Sequence, residues 1–179
     1  MSDIITTYTK LHINPLKPQP EKICIEDIAH ALSLMTRASG HFPVFYSVAQ
    51  HSIHCCQEAI ARNYPKSVCL ACLLHDASEA YLADITSPVK QHLTSYLDAE
   101  KTLQNMIYKK FMGCGLTVQM AEQVKSVDSS LFYYEFLHYM DEVMQEAPPF
   151  LASHPVFETR PFSAVEKEFL EYFLQIVSA

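Results

Sequence analysis

The sequence predicts an all-α fold. Only three of the 179 residues are glycine and 49% are hydrophobic, a composition that favours helices because turn-rich β architectures usually need more glycine. Several segments repeat apolar residues at helical spacing, and Ser47–Gln50 has the pattern of a capping box, which marks the start of a helix. At this length we expect one domain (1–179), a bundle of about six or seven helices.

The predicted elements follow one another along the chain. Proline at three positions excludes a helix from the irregular segment 1–22, in which Ile4–Ile13 could form one short strand or hairpin. Helical spacing predicts helices over 25–36, 47–63, 66–79, about 91–112 and about 117–145, the last as one or two helices. Residues 148–162 are predicted to be a surface connection to a C-terminal helix, which a second capping box at Ser163–Glu166 would open.

Composition and charge narrow the function. The formal net charge of −7 argues against duplex nucleic acid, whose binding depends on lysine and arginine. It is compatible with a small phosphorylated substrate, because a local arginine and a metal can offset the global field. No apolar run reaches the roughly 20 residues of a membrane span, and the N-terminus lacks the order of a signal peptide. We therefore expect a cytoplasmic protein that does not contact a membrane.

The adjacent residues His75 and Asp76 suggest a metal site. They lie near the end of a very apolar predicted helix, and an ionised aspartate in a dry environment costs several kcal/mol unless it is paired or metal-bound. A short connection makes the helices on either side antiparallel, so His51, near the start of the first helix, would lie beside His75. Asp128, in an otherwise apolar helix, is the candidate fourth ligand. Such a set suits one divalent ion of Mn, Co, Fe, Zn or Ni, whereas a His-Asp pair alone also fits ordinary helix-end residues.

The order of these residues resembles the HD-domain metal-dependent phosphohydrolases. The run from His75 to Lys90 is similar to the signature of bacterial 5'-deoxynucleotidases and their phage relatives. Residues 26–32 and 46–52 are similar to the same group, and the similarity covers roughly residues 25–135. The resemblance implies an HD-domain helical fold, with His51, His75, Asp76 and Asp128 as the ligands of one metal ion.

The resemblance also implies catalytic acids. Glu79 matches the position proposed to act on the attacking water, and its spacing from His75 and Asp76 would put all three on one helix face. The alternative is an ordinary glutamate at a helix end. Asp84 matches a second acid that assists near the phosphate or the leaving oxygen, and a role in a turn or helix cap is its rival.

Three further residues could bind the phosphate. Arg37 matches a phosphate-binding arginine of the family, and a guanidinium fork fits phosphate oxygens well; an unpaired surface arginine is the alternative. His41 could add a donor, and Lys90 could face either phosphate or solvent. Ala38 stands where the bacterial deoxynucleotidases have tryptophan, so their sugar and base preferences are not carried over. His54 is interpreted as a core or solvated histidine.

The expected function is hydrolysis of a nucleotide, most simply release of phosphate from a (deoxy)nucleoside monophosphate. Alternatives on the same fold are a deoxynucleoside triphosphate triphosphohydrolase and a non-catalytic nucleotide-sensing module. A dinuclear oxygenase would need two more histidines between Asp76 and Asp128, where only His92 lies. A single-strand nuclease is disfavoured by the net charge. The nucleotide is the only partner expected besides a second copy of the chain, since a homodimer is compatible with the sequence.

Overall fold

The computed structural model describes residues 3–178, and the first two residues of the predicted segment 1–22 lie outside them. Helices dominate the described chain, which confirms the all-α prediction. The helices are α1 (Ile25–Leu34), α2 (Val48–Ala61), α3 (Lys66–Leu73), α4 (Glu79–Leu82), α5 (Ser87–Lys90), α6 (Thr94–Met112), α7 (Val118–Met140) and α8 (Phe162–Ser178). Short 3₁₀ segments cover Pro20–Lys22 and Arg37–Gly40. Two short strands, β1 (Ile5–Thr6) and β2 (His12–Ile13), form an antiparallel hairpin.

Helices α2 and α3 form the centre of the bundle. They pack against each other, and both contact α7 and α8, while α1 packs on α8 and α2. Apolar residues around the whole of α3 are buried, as expected for an enclosed helix. The predicted capping box opens α2: the Ser47 hydroxyl accepts a hydrogen bond from the Gln50 amide, and the Gln50 side chain accepts one from the Ser47 amide. This cap fixes the first turn of α2, which carries His51.

The predicted end of the third helix is wrong. Helix α3 ends at Leu73, so His75 and Asp76 lie in the turns between α3 and α4. Side chains replace the helical hydrogen bonds there: His75 Nδ1 bonds to the Cys72 carbonyl, and Gln104 of α6 bonds to both the Leu74 carbonyl and the Ser78 amide. The helix stops because these partners satisfy its last backbone groups.

Two other boundaries also differ from the prediction. Helix α7 is one helix and ends at Met140 rather than near 145, since Asp141 adopts a left-handed conformation. The second capping box is wrong, because α8 already begins at Phe162 and the Pro161 carbonyl accepts from the amides of the next turn. Glu166 is instead 3.1 Å from His30.

The connection between α7 and α8 contains no helix or strand over 141–161. It is anchored on α2 by buried Glu58, whose carboxylate accepts hydrogen bonds from the amides of Ala152 and Ser153. Arg62 donates to the Phe150 carbonyl of the same segment. Over residues 3–178, none of the helices has the length and apolar character needed to cross a membrane.

Candidate metal centre and cleft

Two histidines face each other at the centre of the bundle. The Nε2 atoms of His51 and His75 are 3.3 Å apart, as the antiparallel arrangement of their helices predicts. His51 Nδ1 lies 2.5 Å from a carboxylate oxygen of Glu135, and His75 Nδ1 lies 2.8 Å from the Cys72 carbonyl. Both partners can only accept, so in the neutral rings each Nδ1 carries the proton. Each Nε2 therefore presents a lone pair to the other, and Arg37 Nη2, 3.2 Å from His51 Nε2, is a permanent cation in contact with this pair.

The two predicted aspartates complete this cluster. Asp128 Oδ1 is 3.0 Å from His51 Nε2 and 3.7 Å from His75 Nε2. Asp76 Oδ2 is 3.1 Å from His75 Nε2 and 3.9 Å from His51 Nε2, and it is buried without a hydrogen-bond partner. Ligand atoms that share an ion at about 2.1 Å lie about 3.0 Å apart when adjacent and about 4.2 Å apart when opposite. All these separations fall in that range. A group of ligand atoms that all lie within 4.8 Å of one another contains His51, His75 and Asp128 but not Asp76, so the first three fit a shared divalent ion and Asp76 is placed to join them through His75.

Acidic neighbours favour positive charge on the histidines. Burial disfavours the imidazolium form, but Asp76 and Asp128 outweigh it and raise the pKa of His75 well above its usual value. The pKa of His51 is also raised, in part by Glu135. The site therefore favours positive charge in addition to that of Arg37, and either a proton or a metal ion can supply it.

Glu135, which the sequence interpretation did not include, links the metal-binding and phosphate-binding residues. Its side chain on α7 is fully buried, bonds to His51, and lies 3.5 Å from the Arg37 Nε atom. The Tyr46 hydroxyl also donates to it, at 2.9 Å, and contacts His54 at 2.8 Å. A carboxylate that orients a ligating histidine is a common feature of metal sites. The signal was available, since Glu135 follows Asp128 by seven residues, or two helical turns, on the same helix.

His54 is part of this buried network rather than solvated. Burial lowers its pKa to about 4, so the ring is neutral, and it bonds through Tyr46 to Glu135. Of the two environments expected for His54, solvated or core, the structure shows the buried one. Through Tyr46, His54 also supports Glu135, the residue that orients His51.

Arg37 reaches the same cluster from a strained loop. Its guanidinium is largely buried and lies 3.6 Å from Asp76 and 3.8 Å from Asp128. Ala38 and Ser39 both have left-handed backbone conformations, with φ of 51° and 50°, which cost energy in residues with a Cβ. The loop base is closed by a hydrogen bond from the Arg37 amide to the Tyr46 carbonyl. Arg37 is thus not an unpaired surface residue.

Glu79 lies in the first turn of α4 rather than at the end of α3. Its side chain is 4% exposed, and Oε2 is buried without a hydrogen-bond partner. Burial, helped by the negative charges of Asp76 and Asp84, raises the pKa of Glu79 to about 9. A carboxyl group with a raised pKa next to candidate metal ligands is suited to exchange protons with a bound reactant.

The remaining predicted residues lie around a surface cleft that also borders Arg37 and Glu79. Asp84, His41 and Lys90 all line it. Asp84 does not cap α5, which follows Thr86, and burial raises its pKa. Lys90 is engaged in ion pairs: its Nζ atom is 2.6 Å from Glu100 and 3.7 Å from Glu79.

The cleft has a volume of about 670 Å³, which is typical of small-molecule sites. Its polar lining includes Asp76, Asp128 and Glu79, and its apolar lining includes Phe42, Phe132, Phe136 and Met144. This division suits a ligand that has an anionic end and a flat, less polar end.

Comparisons with known proteins give relatives but no activity. The chain matches no family model. It is similar to the uncharacterized protein YfdR of Escherichia coli (strain K12), with 37% identity over 124 residues, which are 69% of this chain and 65% of that protein. It is also similar to an uncharacterized protein of Rhodobacter capsulatus, with 35% identity over 121 residues, 64% of this chain and 61% of that protein. The chain thus spans less than two thirds of the length of either relative.

Proposed function

We propose that this protein is a metal-dependent phosphohydrolase that releases phosphate from a nucleoside monophosphate. The observation that carries the proposal is the pair of facing Nε2 atoms of His51 and His75. Oxygens of Asp76 and Asp128 lie beside them, and these two aspartates line a cleft together with Arg37 and Glu79. The resemblance of the His51, His75-Asp76 and Asp128 order to HD-domain phosphohydrolases agrees with it.

The metal would be held by His51, His75, Asp76 and Asp128. When bound, a divalent ion supplies positive charge that lowers the pKa of water and stabilises the phosphate oxygens in the transition state. Beside the charge of a bound divalent ion, the raised pKa of Glu79 would fall, so that its ionised carboxylate, buried beside the cluster, could accept the proton of the attacking water. Without a negative charge on Glu79 the proton of the water has no nearby acceptor. Replacing the Glu79 carboxylate by a neutral side chain should therefore lower turnover by about 10²-fold or more.

Two other groups complete the reaction. Arg37 binds phosphate oxygens, since its fork is already directed at the cluster by Glu135. Asp84, with its pKa raised by burial, is protonated more readily than an exposed aspartate and can donate a proton to the leaving 5' oxygen. The nucleoside then leaves as a neutral alcohol.

The charges around the cleft favour a monophosphate over a triphosphate. Among the residues that line it, Arg37 and Lys90 are the permanent cations, and Lys90 is already paired with Glu100. A triphosphate has several more negative charges than a monophosphate and would need further basic side chains to bind. The apolar lining of Phe132 and Phe136 offers a surface on which a base can stack, which favours a nucleotide over a small phosphate ester.

The test is phosphate release from a panel of mono- and triphosphates of ribo- and deoxynucleosides, with Mn²⁺, Co²⁺ or Zn²⁺ added. We expect orthophosphate from monophosphates, loss of metal retention in His75→Ala, and metal retention without turnover in Glu79→Gln. The matched control is His92→Ala, which removes an exposed histidine outside the cleft and should leave turnover unchanged. Release of tripolyphosphate would support the triphosphohydrolase instead. Bound metal with no turnover of any nucleotide would support a sensing module.

A further inference from the structure

Cys55 places a sulfur atom at the candidate metal centre. It lies on α2 four residues after His51, a spacing that puts the two side chains on one helix face. Cys55 Sγ is 3.4 Å from His51 Nε2, and the side chain is almost fully buried. Ligand atoms of Cys55, His51, His75 and Asp128 all lie within 4.8 Å of one another.

The distance agrees with two atoms that bind one ion. A nitrogen at about 2.1 Å and a thiolate sulfur at about 2.3 Å from the same ion lie about 3.1 to 3.6 Å apart at right-angle to tetrahedral geometry. The next residue, Cys56, is also fully buried but is absent from the cluster of potential ligands among the described residues. Ordinary core packing explains Cys56. The Cys55 sulfur instead meets the ligating nitrogen of His51, where its S–H can donate to the neutral ring without an ion and where the sulfur is in position to share an ion with that nitrogen.

We propose that Cys55 is a further ligand of the metal ion assigned above to His51, His75, Asp76 and Asp128, and that its sulfur makes the centre prefer thiophilic ions. The proposal rests on the metal centre of the proposed function. When the metal–sulfur bond forms, the S–H bond breaks and its proton passes to solvent, so no electron is transferred. Sulfur binds Zn²⁺ and Co²⁺ better than it binds Mg²⁺ or Mn²⁺, which prefer oxygen.

The direct test is the absorption spectrum of the chelator-stripped protein, kept reduced, during titration with Co²⁺ alone. A thiolate ligand gives a sulfur-to-cobalt charge-transfer band in the near ultraviolet, which nitrogen and oxygen ligands do not give. We expect this band in the wild type and in Cys56→Ser, and we expect Cys55→Ser to bind Co²⁺ without it.

Metal competition provides a second measurement. Because loss of a residue that merely supports a ligand lowers metal affinity by about 10- to 100-fold, we expect Cys55→Ser to lose at least about tenfold in Zn²⁺ affinity. Its Mn²⁺ affinity should change much less, and Cys56→Ser should keep the wild-type affinity for both ions. Equal losses for Zn²⁺ and Mn²⁺ would mean that the substitution acts through structure, not through a lost sulfur ligand.

The outcomes separate this inference from the proposed function. Co²⁺ binding by the wild type without the charge-transfer band would overturn the assignment of Cys55 and leave the centre of two histidines and two aspartates standing. Failure of the wild type to bind any of these ions would overturn both. If the band appears but no nucleotide is hydrolysed, Cys55 is a ligand and the proposed reaction is wrong.

Discussion

Replacing Glu79 by glutamine should stabilise the metal-free protein while it abolishes turnover. The usual pKa of glutamate is 4.5, and in the folded protein burial raises the pKa of Glu79 to about 9. Stability linked to this proton is fully present below pH 4.5 and is lost as the pH rises toward 9, because the unfolded chain ionises first. At pH 7 the loss is at most about 3.4 kcal/mol, from 1.36 kcal/mol for each of the roughly 2.5 pKa units between about 4.5 and 7.

Glutamine cannot ionise and should avoid this loss. Water entry and local relaxation reduce the effect, so we expect Glu79→Gln to raise the free energy of unfolding at pH 7 by about 1 to 3 kcal/mol. For a chain of this size, 1 kcal/mol corresponds to about 2 to 4 °C in Tm. The assay is urea unfolding in the presence of a chelator at about pH 5, 7 and 8, because the gain should be small near pH 5 and largest at pH 8.

The matched control is Glu122→Gln, which neutralises an exposed glutamate on α7 and should change stability by less than about 0.5 kcal/mol at every pH. A gain for Glu79→Gln that is the same at pH 5 and pH 8 would refute the reasoning, since it could not come from ionisation. So would a net destabilisation at pH 8. A more stable protein that no longer turns over substrate also rules out misfolding as the cause of lost activity.

Other substitutions and conditions probe the rest of the site. Glu135→Gln removes the carboxylate that fixes the His51 tautomer and should weaken metal affinity by about 10- to 100-fold, measured by competition with a chromophoric chelator; unchanged affinity would exclude this role. Arg37→Lys should chiefly raise KM for the monophosphate, because the bidentate fork is lost; an effect on kcat alone would contradict phosphate binding. Lowering the pH should release the metal, since Asp76 raises the pKa of His75 and protons compete for its Nε2. Constant affinity down to about pH 5 would show that His75 is not a ligand.

The sequence predicted the parts of the fold that depend on local signals. The capping box at Ser47 and the apolar character of α3 are local, and both are present. The end of α3 was missed because Gln104, 30 residues further along the chain, bonds to the carbonyl of Leu74. A partner on a distant helix has no signature in the sequence around Leu74. The failed capping box at Ser163 has a local cause, since the Pro161 carbonyl opens α8 earlier.

The candidate site was predictable where helix geometry or motif order constrained it. His51 and His75 were brought together by one argument, that a short connection makes two helices antiparallel. Cys55 and Glu135 were missed although both lie on the expected helix faces, because cysteine and glutamate at those spacings also occur as ordinary core and surface residues. Only the contacts distinguish these roles: Cys55 meets His51 Nε2, and Glu135 meets His51 Nδ1.

The charges of the site imply an order of binding. Six acidic side chains surround the permanent cations Arg37 and Lys90 there, and they are those of Asp76, Glu79, Asp84, Glu100, Asp128 and Glu135. Even with Glu79 protonated at pH 7, because its pKa is about 9, acids outnumber these cations. A phosphate dianion would approach this group against its field, whereas a divalent cation is attracted to it. The metal should therefore bind first. The same ion would relieve the cost of burying these acids, and at a concentration 100 times its Kd it would stabilise the fold by about 2.7 kcal/mol. The buried acids destabilise the metal-free fold, and the bound ion offsets that cost. Metal binding therefore increases both the stability of the bundle and its affinity for an anionic substrate.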